Sequence, residues 1–87
     1  MKKNLLMSYN RILVNAVMCD IEGRDKDANY LFGKAHGMLH MAYIMYDALG
    51  AETVAKMSRA SVLADDIVNG EVEDEEESIY ILENNMS

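Results

Sequence analysis

The length, composition and charge of the chain exclude several classes of protein. Eighty-seven residues form one small domain with a single core, and an apolar content of 51% is too high for a disordered polar chain. A formal net charge of −7 disfavours direct binding to the phosphates of nucleic acid, and a single cysteine excludes an internal disulfide bond.

The first predicted element is a largely apolar helix over residues 5–21, which Asn4 can cap and which ends before Gly23. The chain starts with basic residues, as a signal peptide does, but polar side chains interrupt the apolar region and no cleavage site follows. The apolar run 12–19 is too short to span a bilayer. Because the unpaired Cys19 fits a reducing compartment, we expect a cytoplasmic protein with no membrane span.

The second predicted helix, over residues 26–49, is apolar on two sides. Asp25 can cap its start, and Gly50 follows its end. Since a helix that is apolar all round is normally buried all round, we predict that the second apolar stripe mediates a homodimer. The alternative is a monomer whose C-terminal tail covers this stripe. The residues that we assign to self-association are Tyr30, Gly33, Gly37, Met41 and Ile44.

Two of these residues, Gly33 and Gly37, form a GxxxG pattern inside the helix. Each glycine costs a helix roughly 1 kcal/mol relative to alanine, so a compensating interaction is expected. Close packing against a symmetry mate or against the first helix is one explanation. A kink or a neutral accident is the other.

The second helix also carries two histidines one turn apart, His36 and His40, in the stretch HGMLH. This spacing can place two imidazoles on one metal ion, but a third ligand would have to come from Cys19, from the Asp65–Asp66 pair or from a second subunit. We therefore predict no metal and no cofactor, and keep a His36–His40 metal or ligand site as an alternative. The helical spacing of Met38, Met41 and Met45 favours a core role over an adaptable binding surface.

A third predicted helix, residues 51–69, has one apolar face and one charged face and ends at Gly70. Short connections join the three helices, so consecutive helices should pack antiparallel. We predict an all-α fold: a small bundle of three main helices in residues 1–70, followed by an acidic C-terminal segment in residues 71–87.

The acidic segment holds the whole charge imbalance of the chain. Residues 1–69 carry eight acidic and eight basic side chains, whereas residues 70–87 carry the other seven acids and no base. Such a local field attracts a basic partner. The residues that we assign to partner binding are Glu71, Glu73, Asp74, Glu75, Glu76, Glu77, Ile79, Tyr80, Ile81 and Leu82.

Two conformations of this segment are open. A fourth short helix over residues 73–83 would place acids at its N-terminus, where the helix dipole favours them, and would pack Ile79 and Leu82 inward. Alternatively, residues 79–82 could form a strand that completes the sheet of another protein. In that form the segment resembles the short acidic and apolar stretches that dock on the ubiquitin-like modifier SUMO by β-augmentation.

No phosphate-binding loop, catalytic triad or zinc-ligand cluster is present in the sequence, so we predict a protein that is not an enzyme. The favoured function is a protein-binding module: an acidic inhibitor or nucleic-acid mimic, of the phage anti-defence or antitoxin type, that engages a basic, nucleic-acid-binding protein. The alternatives are the His36–His40 metal or ligand bundle and a structural or assembly subunit whose acidic segment maintains solubility.

Overall fold

A computed structural model describes the backbone of residues 2–84 and the side chains of residues 3–84. Met1, at the start of the predicted bundle region 1–70, and residues 85–87, at the end of the predicted acidic segment 71–87, lie outside the described residues. The described part is helical with no strand, which confirms the all-α class. None of its helices has the length and apolar character needed to cross a membrane. The helices are α1 (Lys2–Ile21), α2 (Asp25–Ile44), α3 (Tyr46–Leu49), α4 (Ala51–Val68) and α5 (Glu75–Asn84).

Two glycines end helices α1 and α4, as the sequence predicts. Gly23 and Gly70 have φ angles of +80° and +71°, in the left-handed region that side-chain-bearing residues rarely adopt. At the end of α1, the N–H of Gly23 donates to the carbonyl of Asp20 at 3.0 Å and that of Arg24 donates to Cys19 at 2.8 Å. An equivalent pair of bonds closes α4, so both ends are Schellman motifs.

The predicted caps at the starts of α1 and α2 are wrong. Helix α1 begins at Lys2, which puts Asn4 inside the helix. Helix α2 begins at Asp25 itself, and the residue before it, Arg24, makes no side-chain cap bond. Asp25 and Asp27 lie in the first turn of α2, where the helix dipole favours carboxylates, and Arg24 holds Asp27 with an Nη2–Oδ2 distance of 2.7 Å.

The single predicted helix over residues 26–49 is two helices with a break at Met45. The N–H of Met45 still bonds the carbonyl of Met41 at 2.9 Å, and the N–H of Leu49 bonds that of Met45 at 2.9 Å, so the chain stays close to helical. Beyond the break, α3 contacts α4 and buries Leu49 in the core. No glycine or proline marks this break.

The core is arranged around α1, which contacts α2, α4 and α5. Helix α4 covers it with the apolar face that its sequence predicts, and the side chain of Ser61 is buried within that face. Helix α5 completes the core with Leu82. The large, fully buried side chains are Tyr9, Leu13, Val17, Met57 and Leu82.

Candidate functional site

The acidic segment folds as a helix whose start is fixed by one of its own acids. Oδ1 of Asp74 accepts a hydrogen bond from the backbone N–H of Glu77 at 3.1 Å, and the N–H of Ser78 donates to the carbonyl of Asp74 at 3.0 Å. This is an N-cap arrangement, and the helix dipole favours the three glutamates 75–77 in the first turn. The carboxylates are therefore held on an ordered helix. Of the two predicted conformations, the helix is confirmed, and the described residues contain no strand over 79–82.

One side of α5 packs on the body of the protein. The side chain of Leu82 is 0% exposed, and Ile79 packs against the core as a partly buried residue. Nδ2 of Asn10 on α1 donates a hydrogen bond to the carbonyl of Glu83 at 3.2 Å, which adds a polar tie between the two helices. The predicted inward packing of Ile79 and Leu82 is thus confirmed, and a partner cannot contact Leu82 while α5 stays docked.

The other side of α5 carries acidic and apolar side chains together. Tyr80 is 58% exposed and Ile81 is 51% exposed, and Glu76 and Glu77 beside them are also exposed. Residues three and four apart are neighbours on a helix, so these four side chains form one continuous surface. We call this surface, Glu76, Glu77, Tyr80 and Ile81, the acidic α5 face. The segment's other acids are exposed as well but lie outside this face: Glu71, Glu73, Asp74, Glu75 and Glu83.

The ion pairs that the structure shows within residues 3–84 lie in other regions. Arg24 contacts Glu22 at 4.0 Å and Asp27 at 2.7 Å, and Lys56 contacts Glu52 at 3.6 Å. These pairs use acids that precede residue 70. The carboxylates of the acidic α5 face are directed to solvent and are accessible to an approaching partner.

The five residues that we assign to self-association lie on the solvent side of α2. The opposite side of this helix is buried through Ala28, Ala35 and Ala42. Tyr30 is 69% exposed and Ile44 is 65% exposed, and the residues between them on this side are exposed as well. Since α5 packs on α1 and α4, the C-terminal helix leaves this side of α2 uncovered. We call this surface, Tyr30, Gly33, Gly37, Met41 and Ile44, the outer α2 face.

Within one chain, no close contact explains the two glycines of this face. A Cβ atom added at Gly33 or Gly37 would meet nothing within 4 Å among the described residues. The predicted alternative that α1 packs closely against them is therefore wrong. Each glycine costs the helix about 1 kcal/mol relative to alanine, and no close contact among the described residues compensates for that cost.

An apolar groove of about 610 Å³ adjoins the outer α2 face. Its walls are Met38, Met41 and Met45 with Leu5 of α1 and Leu49 of α3, and among the described side chains Lys34 is the charged residue that lines it. Met38 packs against the core as a partly buried residue, whereas Met41 and Met45 are exposed. The predicted core role is therefore confirmed for Met38 and wrong for Met41 and Met45. Flexible thioether side chains can adapt to an apolar surface placed against them.

The two histidines of α2 are exposed, one turn apart. The ring of His36 lies 6.5 Å from that of Phe32, centroid to centroid, in a tilted arrangement. Cys19 is buried on α1. Within the described residues, no three His, Cys, Asp or Glu side chains are placed to hold a metal ion, so one chain does not assemble the ligand set that the alternative metal site requires.

The interior contains two separate buried polar groups that no sequence pattern indicates. The hydroxyl of Tyr9 and Oδ1 of Asn10 are buried without a hydrogen-bond partner. Burial raises the pKa of the Tyr9 phenol above its usual value, and the polar Ser61 side chain, whose geometry falls short of a hydrogen bond to the Tyr9 hydroxyl, offsets this effect in part. Asn10 uses its other polar atom to hold α5, so this buried amide positions the acidic segment.

Comparison with protein families, with curated proteins and with solved structures finds no match to this chain. The exposed surfaces of α2 and α5 are therefore the features from which a function can be inferred.

Proposed function

We propose that the protein is a non-enzymatic binding module whose acidic α5 face engages a basic region of a partner protein. The observation that carries this proposal is the combination, on one exposed helix side, of Glu76 and Glu77 with Tyr80 and Ile81. Carboxylates attract a basic partner and orient it, whereas a partly exposed tyrosine and isoleucine supply apolar area that can be buried on contact.

The way α5 is attached supports this proposal. Asp74 fixes the start of the helix and Leu82 anchors it in the core, so the acidic α5 face is ordered before a partner arrives. A surface that is already ordered loses less conformational entropy on binding than a flexible tail does. A helical presentation also replaces the β-augmentation mode that a strand over residues 79–82 would require.

The charge distribution supports a proposal for the class of partner. The chain places seven uncompensated acids in residues 70–87, next to a body that is formally neutral. A cluster of carboxylates at the start of one helix resembles a phosphate backbone in charge, so proteins that bind nucleic acid are the class of partner that it fits. We propose an inhibitor that occupies such a site, as an anti-defence protein or an antitoxin would, in the cytoplasm.

We further propose that the protein acts as a homodimer through the outer α2 face. Tyr30, Met41 and Ile44 expose a continuous apolar stripe that the described part of the chain leaves uncovered. Exposed apolar stripes of this kind are typical of interfaces. A dimer would present two acidic α5 faces, and two linked sites raise the avidity for a partner with two basic regions.

The test is capture of a partner from a lysate of the organism that encodes the protein, with three immobilised forms. The first is the wild type, the second is Glu77→Gln with Tyr80→Ser, and the third is Asp65→Asn with Val62→Ser. The third form is a matched control because Val62 and Asp65 are an exposed apolar and acidic pair with the same spacing on α4.

We expect the wild type and the α4 control to retain the same basic protein, and the α5 variant to lose it. Because the attraction is electrostatic, retention should fall as salt is raised, and excess duplex DNA should compete. A retained partner that is not basic, or equal retention by the α5 variant, would contradict the proposal.

A further inference from the structure

The outer α2 face has a symmetric spacing along the helix. Its central residue is Gly37. Gly33 and Met41 lie four residues to either side of it, and Tyr30 and Ile44 lie seven residues to either side. When two copies of one helix pack antiparallel about a two-fold axis, residues equally far from the axis on opposite sides are brought together. An axis through Gly37 therefore pairs Tyr30 with Ile44 and Gly33 with Met41.

We infer that two copies of the chain associate through antiparallel α2 helices, with the two-fold axis at Gly37 and Met41 of each copy seated beside Gly33 of the other. This inference depends on the self-association proposed above and adds its direction and register. In this dimer the outer α2 face of one copy packs against the outer α2 face of the other, which is an isologous contact.

The side-chain sizes fit this register. The space next to Gly33 and Gly37 is open, with nothing within 4 Å of an added Cβ atom. In the proposed pair, the flexible Met41 side chain enters the space beside Gly33, and the two Gly37 residues meet where the helices cross. This gives both glycines the close packing that one chain alone does not supply.

Charge favours the antiparallel direction over the parallel one. Lys26 and Asp47 are exposed near opposite ends of the α2–α3 unit, eleven residues before and ten residues after Gly37. An antiparallel pair places Lys26 of one copy close to Asp47 of the other, and does so twice. A parallel pair would place Lys26 against Lys26 and Asp47 against Asp47, and like charges repel.

The size of the contact indicates a reversible dimer. The face covers fourteen residue steps of helix, about 21 Å at about 1.5 Å per residue. Two helices in contact over that length bury less area than the roughly 1,000 Å² that a stable interface needs. Part of the adjoining methionine groove, which shares Gly37 and Met41 with the face, would be covered by the same contact.

Disulfide trapping tests the register directly. Cys19 is buried and is replaced by alanine, so that each full-length chain has one thiol at a chosen position. The variants are Gly33→Cys, Gly37→Cys and Met41→Cys, with Val62→Cys on the exposed side of α4 as the control. A disulfide forms only where two Cα atoms come within about 7 Å. Chains with tags of different mass separate mixed dimers from self-paired ones.

We expect Gly37→Cys to cross-link with itself, and Gly33→Cys to cross-link with Met41→Cys in a mixture. The Val62→Cys control should remain uncross-linked. Self-pairing of Gly33→Cys and of Met41→Cys, without the mixed product, would show a parallel dimer and overturn the register. Cross-linking at none of the α2 positions would overturn self-association through this face.

A variant without an introduced thiol tests the same contact independently of disulfide formation. Ile44→Glu places a charge in the proposed contact, and we expect it to weaken self-association in analytical ultracentrifugation at least tenfold, or about 1.4 kcal/mol. Unchanged association would contradict the inference. A chain that stays monomeric but still captures a basic protein through the acidic α5 face would overturn the dimer alone, so the two failures are distinguishable.

Discussion

Replacing Leu82 with alanine should detach α5 from the body, because this side chain is the fully buried anchor of the helix. The substitution removes three buried carbon atoms, worth about 2.4 kcal/mol at about 0.8 kcal/mol per CH₂ group. The cavity that remains adds to this loss, and buried leucine-to-alanine changes cost about 2–5 kcal/mol in all. We expect a loss of about 3 kcal/mol in the free energy of unfolding.

The matched control is Ile81→Ala, one residue earlier on the same helix. Ile81 is 51% exposed, so its truncation should cost less than about 1 kcal/mol. Urea unfolding followed by circular dichroism at equal protein concentration compares the two variants. Amide hydrogen exchange of α5 then shows whether the helix opens locally before the body unfolds. Equal destabilisation by both substitutions would refute the docking of α5 through Leu82.

Three further predictions concern the cap, the core and the helix glycines. Asp74→Ala should lower the free energy of unfolding by about 1 kcal/mol, because it removes the N-cap bond to the Glu77 N–H. The neighbouring Glu73→Ala should lower it less in the same urea titration. A larger loss for Glu73→Ala than for Asp74→Ala would refute the cap. Tyr9→Phe should stabilise the protein by about 1 kcal/mol at neutral pH, since it removes a buried hydroxyl without a hydrogen-bond partner. Because the folded-state pKa of Tyr9 is raised, the free energy of unfolding of the wild type should fall as the pH rises above the usual tyrosine pKa of about 10. Tyr9→Phe should lack this loss. Plots of unfolding free energy against pH that run parallel for the two proteins above pH 10 would contradict the raised pKa. Gly37→Ala should raise the stability of the dilute monomer by about 1 kcal/mol, because the added methyl group meets open space; a destabilised monomer would show a close neighbour that the structure lacks.

The sequence predicts the helices better than it predicts where they begin. Gly23 and Gly70 end helices because a left-handed residue at that position is cheapest for glycine, and this preference is local. The proposed caps Asn4 and Asp25 failed because the helices begin one or more residues earlier than the first apolar position suggests. The break at Met45 has no local signal, since it depends on how α3 meets α4 and buries Leu49.

The candidate surfaces could be predicted in part. Helical spacing separates Leu82, which turns inward, from Tyr80 and Ile81, which turn outward, but only once α5 is known to be a helix. The cap at Asp74 has a sequence signal, an aspartate three residues before Glu77, although the same residues also look like a plain charge run. The role of Asn10 in holding α5 could not be predicted, because its partner is 73 residues away in the chain.

The central claim is that the acidic α5 face is the surface that a basic partner contacts. The most direct measurement is a map of amide chemical-shift changes when the isotope-labelled protein is titrated with the basic protein that it captures. We expect the largest changes at Glu76, Glu77, Tyr80 and Ile81, and these changes should be reversed by added salt. Changes confined to α2 or α4, with the signals of α5 unmoved at saturation, would contradict the claim.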